Sequence, residues 1–179
     1  MGWFGKPSHE KSLNAVCGVA CNIYEQTTDE KTHGIQKPKF LLPDSPFRYL
    51  MFSLATAFVA SAGRMKNADA VLNDLMQRLI VRYVMPRAIE FFGRPIDPQE
   101  AADLAGKYVK EYLDRWSAQI DIKKAGNYDG AIGIVTGMIR NTESEDSPNQ
   151  EDRERIFPLA RWITENLPAM TRAFEQHAS

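Results

Sequence analysis

The chain has few cysteines. Only two of its 179 residues are cysteine, Cys17 and Cys21. Two thiols four residues apart cannot build the disulfide framework on which small secreted domains depend. We therefore predict a reducing compartment, with the cytoplasm as the simplest location.

The chain also has no excess of either charge. Its 22 basic and 23 acidic residues leave a formal net charge of -1. Proteins that bind nucleic acid through phosphates usually carry a basic excess, so this balance argues against nucleic acid as a partner. Arg78 and Arg82 do share one face of a predicted helix, but Asp74, four residues before Arg78, is the expected local partner.

Long apolar runs are missing as well. The longest uncharged stretch, Tyr49–Gly63, has 15 residues, whereas a membrane-spanning helix needs about 20. We interpret it as a buried helix and predict no membrane span. The first eight residues contain no apolar segment of the kind found in secretory signals.

Common catalytic and ligand-binding motifs are absent too. The glycines at 126, 130, 133 and 137 lack the spacing of a phosphate-binding loop. Glu30-x-x-His33 matches half of a di-iron motif, but no second pair completes it. The sequence therefore indicates no catalytic residue, no metal ligand and no cofactor. This argues against an enzyme without excluding one.

The sequence does contain the periodicity that is typical of α-helices. Apolar residues recur at three- and four-residue intervals along most of the chain. The pattern predicts helices at about 8–25, 46–62, 67–92, 97–119 and 131–140, and a last helix after a capping box at 147–150. Asn67 is expected to cap the third helix, and residues 97–100 should form a capping box at the start of the fourth. Pro86 should kink the third helix, and Pro158 and Pro168 should bend or divide the last one, because proline removes a backbone hydrogen bond.

The predicted helix at 46–62 is apolar on every side, with Arg48 as its only charged residue. Such a helix is typical of the centre of a domain. We therefore predict an all-α fold, a single domain over 1–179 in which six to seven helices form a bundle around this helix. A short flexible arm is expected at 1–7 and an acidic loop at 142–152.

The two cysteines lie on one side of the predicted first helix, about 40° apart at 100° per residue. Two such thiols could bind a metal or a small ligand, or react. A structural zinc site needs four ligands, however, and His9, His33 and His177 form no second close pair. Cys17 also falls in the apolar stripe of its helix, as a buried cysteine acting as a small hydrophobe would.

Some large apolar residues fall outside the apolar helix faces that we expect to form the core. They are Trp3, Phe4, Phe52 and Trp162. If exposed, they mark a surface for a protein partner or for a second copy of the chain. The leading hypothesis is thus a non-catalytic interaction or regulatory protein that acts through protein–protein contacts. The alternative is a helical protein, conceivably an enzyme, with a small-ligand, thiol or metal site near Cys17 and Cys21.

Overall fold

The computed structural model describes residues 7–28, 44–118 and 150–178. Their backbone is almost entirely helical and contains no β-strand. The α-helices are α1 (His9–Thr28), α2 (Ser45–Ser61), α3 (Ala68–Leu79), α4 (Ala88–Phe92), α5 (Pro98–Ala118) and α6 (Gln150–Ala178). The predicted all-α fold is therefore confirmed. Trp3, Phe4 and the predicted helix at 131–140 lie outside the described residues.

Helix α2 lies at the centre of the bundle, where it packs against α1, α4, α5 and α6. Every residue from Tyr49 to Phe58 is buried, as expected for a helix that is apolar on every side. The predicted central helix is thus confirmed. In the parts of the chain that the structure describes, no helix is both long and apolar enough to cross a membrane.

Phe52 lies inside this core rather than at its surface. Its side chain is fully buried, and its ring centroid lies 5.6 Å from that of Tyr112 and 6.3 Å from that of Trp116. Both contacts come from α5 and are typical aromatic packing. The structure therefore corrects the interpretation of Phe52 as an interface residue, because α5 covers the side of α2 that the helical period could not assign to a neighbour.

The predicted helix at 67–92 is interrupted. Helix α3 passes into a π-helical segment, Ile80–Val84, and then into a 3₁₀ turn, Met85–Arg87, before α4 begins. Pro86 has no backbone N–H, and its ring would clash with the carbonyl of the residue four before it in a regular helix. The irregular turns relieve that conflict, so the disturbance is longer than a simple kink.

The caps predicted for α3 and α5 differ in whether they form. Asn67 precedes α3 with a left-handed backbone (φ 48°), and its side chain makes no capping hydrogen bond. Asp97 does cap α5, because its Oδ1 accepts a hydrogen bond from the backbone N–H of Gln99 at 2.8 Å. The glutamate of this expected capping box, Glu100, pairs with Arg94 instead.

Helix α6 is one continuous helix of 29 residues. It runs through both Pro158 and Pro168, so neither proline divides it. Its start at Gln150 places the last three residues of the predicted acidic loop, 142–152, inside a helix. Ile163 and Leu167 are buried, and packing of α6 against α1 and α2 supports the helix across the missing backbone hydrogen bonds.

Candidate thiol site

Helices α1 and α3 lie side by side and run in the same direction, with polar contacts along their exposed edge. Near the amino-terminal end of α1, Arg78 donates two hydrogen bonds to the Glu10 carboxylate, at 2.6 and 2.7 Å. Near the carboxyl-terminal end, the Tyr83 hydroxyl donates to Glu25 Oε1 at 3.5 Å. We refer to the edge between these two contacts as the α1–α3 seam.

Cys17 and Cys21 lie on α1 between the two ends of the α1–α3 seam. Both are half-buried free thiols that pack against the edge of the hydrophobic core. The two thiols lie one turn apart on the helix, close enough to affect each other's ionisation. The structure thus brings both candidate thiols together at a partly accessible position. Neither is a fully buried hydrophobe.

The surroundings of the pair separate the pKa values of the two thiols. The hydrogen bond from Cys21 lowers the pKa of Cys17 most, burial opposes it, and the charges of Arg78 and Arg82 lower it further, to about 7. The pKa of Cys21 is raised by the same hydrogen bond, by burial, and by the negative charges of Cys17 and Glu25. Because Arg78 and Arg82 favour a negative charge on Cys17 and Glu25 disfavours one on Cys21, the pair loses its first proton from Cys17.

The three arginines along the α1–α3 seam are not equally engaged. Arg78 is held by Glu10, and Arg87 donates hydrogen bonds at 2.9 and 2.7 Å to Glu90. Arg82 is exposed, and no described carboxylate lies within ion-pair distance of it. Among these three arginines Arg82 is therefore the one outside a described ion pair, although, after the hydrogen bond from Arg78, its charge also lowers the pKa of Glu10.

A π-helical segment, Ile80–Val84, lies at one end of the seam. Its turns hydrogen-bond residues five apart instead of four. Tyr83 lies inside this segment and Arg78 just before it, and both side chains bond to carboxylates of α1. The Arg87 guanidinium stacks 4.5 Å from the Tyr83 ring centroid, which holds the ring in place. Irregular turns of this kind often occur at functional sites.

The described residues supply no further metal ligands to the thiols. No group of three or more His, Cys, Asp or Glu side chains comes together among them. His9 lies 2.7 Å from Asp74, and His177 lines a separate groove. His33 lies outside the described residues. A four-ligand zinc site therefore receives no support from this geometry.

Trp162 borders a different site. It is half-buried on α6 and lines a groove of about 310 Å³ between α1 and α6, together with Asn22, Asn166, Met170 and His177. The groove uses another face of α1 from the one that carries the two cysteines. The candidate residues of the two hypotheses therefore do not form a single site.

Two exposed apolar residues were not singled out from the sequence. Val81 and Ile89 are 62% and 63% exposed, and no other large apolar side chain is so exposed among the residues whose burial the structure describes, all of which lie within 7–28, 44–116 and 161–178. They flank the irregular turns between α3 and α4. A signal for them does exist, because Val81, Met85 and Ile89 repeat every four residues off the core stripe.

Comparison with protein-family models, with curated protein sequences and with solved structures finds no match for this chain. Among the described residues, the thiol pair on the α1–α3 seam combines partial exposure with nearby positive charge.

Proposed function

We propose that this chain is a non-catalytic regulatory protein whose responsive group is the Cys17 thiol, with Cys21 as its hydrogen-bond donor. The observation that carries the proposal is the position of this half-buried pair beside the arginines of the α1–α3 seam. The thiolate is the nucleophilic form of cysteine, and this environment favours it at Cys17 near neutral pH.

A regulatory role is supported by where an adduct would form. Cys17 is half-buried against the edge of the core, and the charges of two arginines from the α3 side act on it. A group attached to Cys17 would therefore lie against the contact between α1 and α3. The Glu10–Arg78 ion pair that closes one end of the seam is exposed, and such pairs contribute only about 0–1 kcal/mol. Modification of Cys17 would therefore alter the seam and the neighbouring π-helical segment at little cost to the core.

The experiment that tests this proposal is site-resolved alkylation. The native protein is treated briefly with iodoacetamide, a neutral reagent, at pH 7 and analysed by peptide mass spectrometry. We expect Cys17 to be labelled several times faster than Cys21, and we expect the preference to vanish in denaturant. Cys17→Ser should remove the fast reaction. Equal, slow labelling of both native thiols would contradict the proposal.

A second candidate function, protein–protein contact without thiol chemistry, is favoured by the exposure of Val81 and Ile89. Apolar side chains that are mostly exposed can anchor a partner, and here we propose a second copy of the chain. Sedimentation velocity should then show concentration-dependent association that Val81→Asp or Ile89→Asp abolishes. Asn73→Asp, an exposed change on α3, serves as the control. A wild-type protein that stays monomeric at high concentration would contradict this candidate.

A further inference from the structure

We infer that the Cys17–Cys21 pair reacts with acidic low-molecular-weight disulfides, those that carry carboxylates, and that the reaction stops at a mixed disulfide on Cys17. This inference rests on the proposed function. It adds the class of reagent and the end product.

The selectivity follows from the charges that face the pair. The charges of Arg78, which is bound to Glu10, and of Arg82 both act on Cys17. Arg82 is exposed and lies in no described ion pair, although its charge also acts on Glu10. Guanidinium groups bind carboxylates through two parallel hydrogen bonds. An acidic disulfide should therefore collect at Arg82 beside Cys17, and a cationic one should be repelled.

The Cys21 end of the thiol pair lies near a negatively charged side chain. Glu25 lies on the Cys21 side, where its negative charge acts on that thiol. Arg87 is close enough to act on Cys21 as well, but Glu90 holds its guanidinium. The α1–α3 seam thus presents an acidic reagent to Cys17 rather than to Cys21.

The end product follows from helix geometry. Residues four apart on an α-helix have Cβ atoms about 5–6 Å apart, whereas a disulfide needs about 3.5–4.5 Å. Helix α1 is continuous through both cysteines. Cys21 therefore cannot displace the adduct from Cys17 without unwinding a turn of α1, and the mixed disulfide persists.

The reaction is a thiol–disulfide exchange. The Cys17 thiolate attacks one sulfur of the reagent, a new S–S bond forms, and the S–S bond of the reagent breaks. The other half leaves as a thiolate and takes a proton from water. The reagent is the oxidant, because it is reduced to one free thiol while Cys17 is oxidised.

The test compares three disulfides that differ in charge: oxidised glutathione (acidic), 2-hydroxyethyl disulfide (neutral) and cystamine (cationic). Each is added in excess at pH 7 and low ionic strength, and adduct formation is followed by intact mass. We expect the acidic reagent to react at least about tenfold faster than the cationic one, since local charge of this kind alters encounter rates by such factors. The product should carry one reagent half, located on Cys17.

Matched variants identify the cause of the preference. Arg82→Gln should remove most of the preference for the acidic disulfide, and Arg82→Lys should retain part of that preference. Arg172→Gln, at an exposed arginine on α6, should leave the preference unchanged. Circular dichroism checks that each variant is folded, and added salt should weaken the preference in the wild type.

Two outcomes would overturn the inference. Equal rates for the three disulfides, or a preference that Arg82→Gln leaves intact, would contradict the charge argument. A product that has lost two hydrogens instead of gaining an adduct would contradict the end product. Fast, Cys17-selective labelling by neutral iodoacetamide would in either case still support the proposed function, so the two failures are distinguishable.

Discussion

The core around α2 and the α1–α3 seam share helix α1 but use polar groups in opposite ways. In the core, the Ser53 and Ser61 hydroxyls donate to the backbone carbonyls of Tyr49 and Ala57 at 3.0 and 2.6 Å, each one turn back on α2. Such local bonds satisfy a buried hydroxyl without involving another helix. On the seam, by contrast, polar groups bond from one helix to the next.

This difference separates stability from chemistry. Burial of apolar surface contributes about 25 cal/mol per Å², and the apolar side of α1, with Val16 and Ile23 fully buried, contributes to the core. The other side of the same helix carries Cys17 beside exposed cations. One helix can serve both purposes because its two sides have different neighbours.

The largest expected effect is a loss of stability when a side chain of the core is truncated. Phe52→Ala should lower the free energy of unfolding by about 3–5 kcal/mol, because it leaves a cavity between α2 and α5. Ile89→Ala, at an exposed position, should change it by about 0.5 kcal/mol or less. Urea unfolding monitored by circular dichroism measures both. A cost below about 1 kcal/mol for Phe52→Ala would contradict the placement of that ring.

A smaller effect, on the pKa and the alkylation rate of Cys17, is expected from a change at Cys21. Cys21→Ala removes the hydrogen bond that most lowers the pKa of Cys17, so that pKa should rise from about 7 toward the ordinary value of about 8.5. Less thiolate is then present at pH 7, and alkylation of Cys17 should slow roughly tenfold. The rate is measured with iodoacetamide across pH 6–10.

Cys21→Ser provides the matched control for this prediction. The serine hydroxyl can still donate a hydrogen bond to the thiolate, so part of the lowered pKa of Cys17 should survive. A pH midpoint that stays near 7 in Cys21→Ala would show that the arginines alone lower the pKa of Cys17, and the role of Cys21 as donor would be wrong.

The smallest effect tests whether the α1–α3 seam can be altered without disturbing the core. Glu10→Gln should change the free energy of unfolding by less than about 1 kcal/mol, because the pair with Arg78 is exposed. It should also make Cys17 more reactive at pH 7, since the charge of Arg78 then acts on the thiolate without competition. Glu175→Gln, which removes an exposed pair with Arg64 on another surface, should alter neither property. A slower Cys17 in Glu10→Gln would contradict the electrostatic account.

Sequence reasoning predicted correctly the features that depend on residues close together in the chain. The periodicity of apolar residues predicted α1, α2 and α5 to within a few residues, and the Asp97 cap was predicted because its donors are its immediate neighbours. It was wrong about Phe52, since the period shows that a side is apolar but not which helix covers it. It underestimated the disturbance at Pro86, and of the two effects expected at Pro168 the division of the helix does not occur, because tertiary packing decides how a helix accommodates a proline.

The spacing of Cys17 and Cys21 determined that both thiols share one side of a helix, and the apolar pattern determined that the chain is a helical bundle around α2. These properties depend on residues within a turn or two of each other. What faces the thiols was decided only by the tertiary structure, because Arg78 and Arg82 are distant in the sequence and reach Cys17 through the packing of α3 against α1. Exposure, electrostatic environment and pKa arise from such long-range neighbours, which is why the helical spacing alone could not show that both thiols are half-buried beside positive charge.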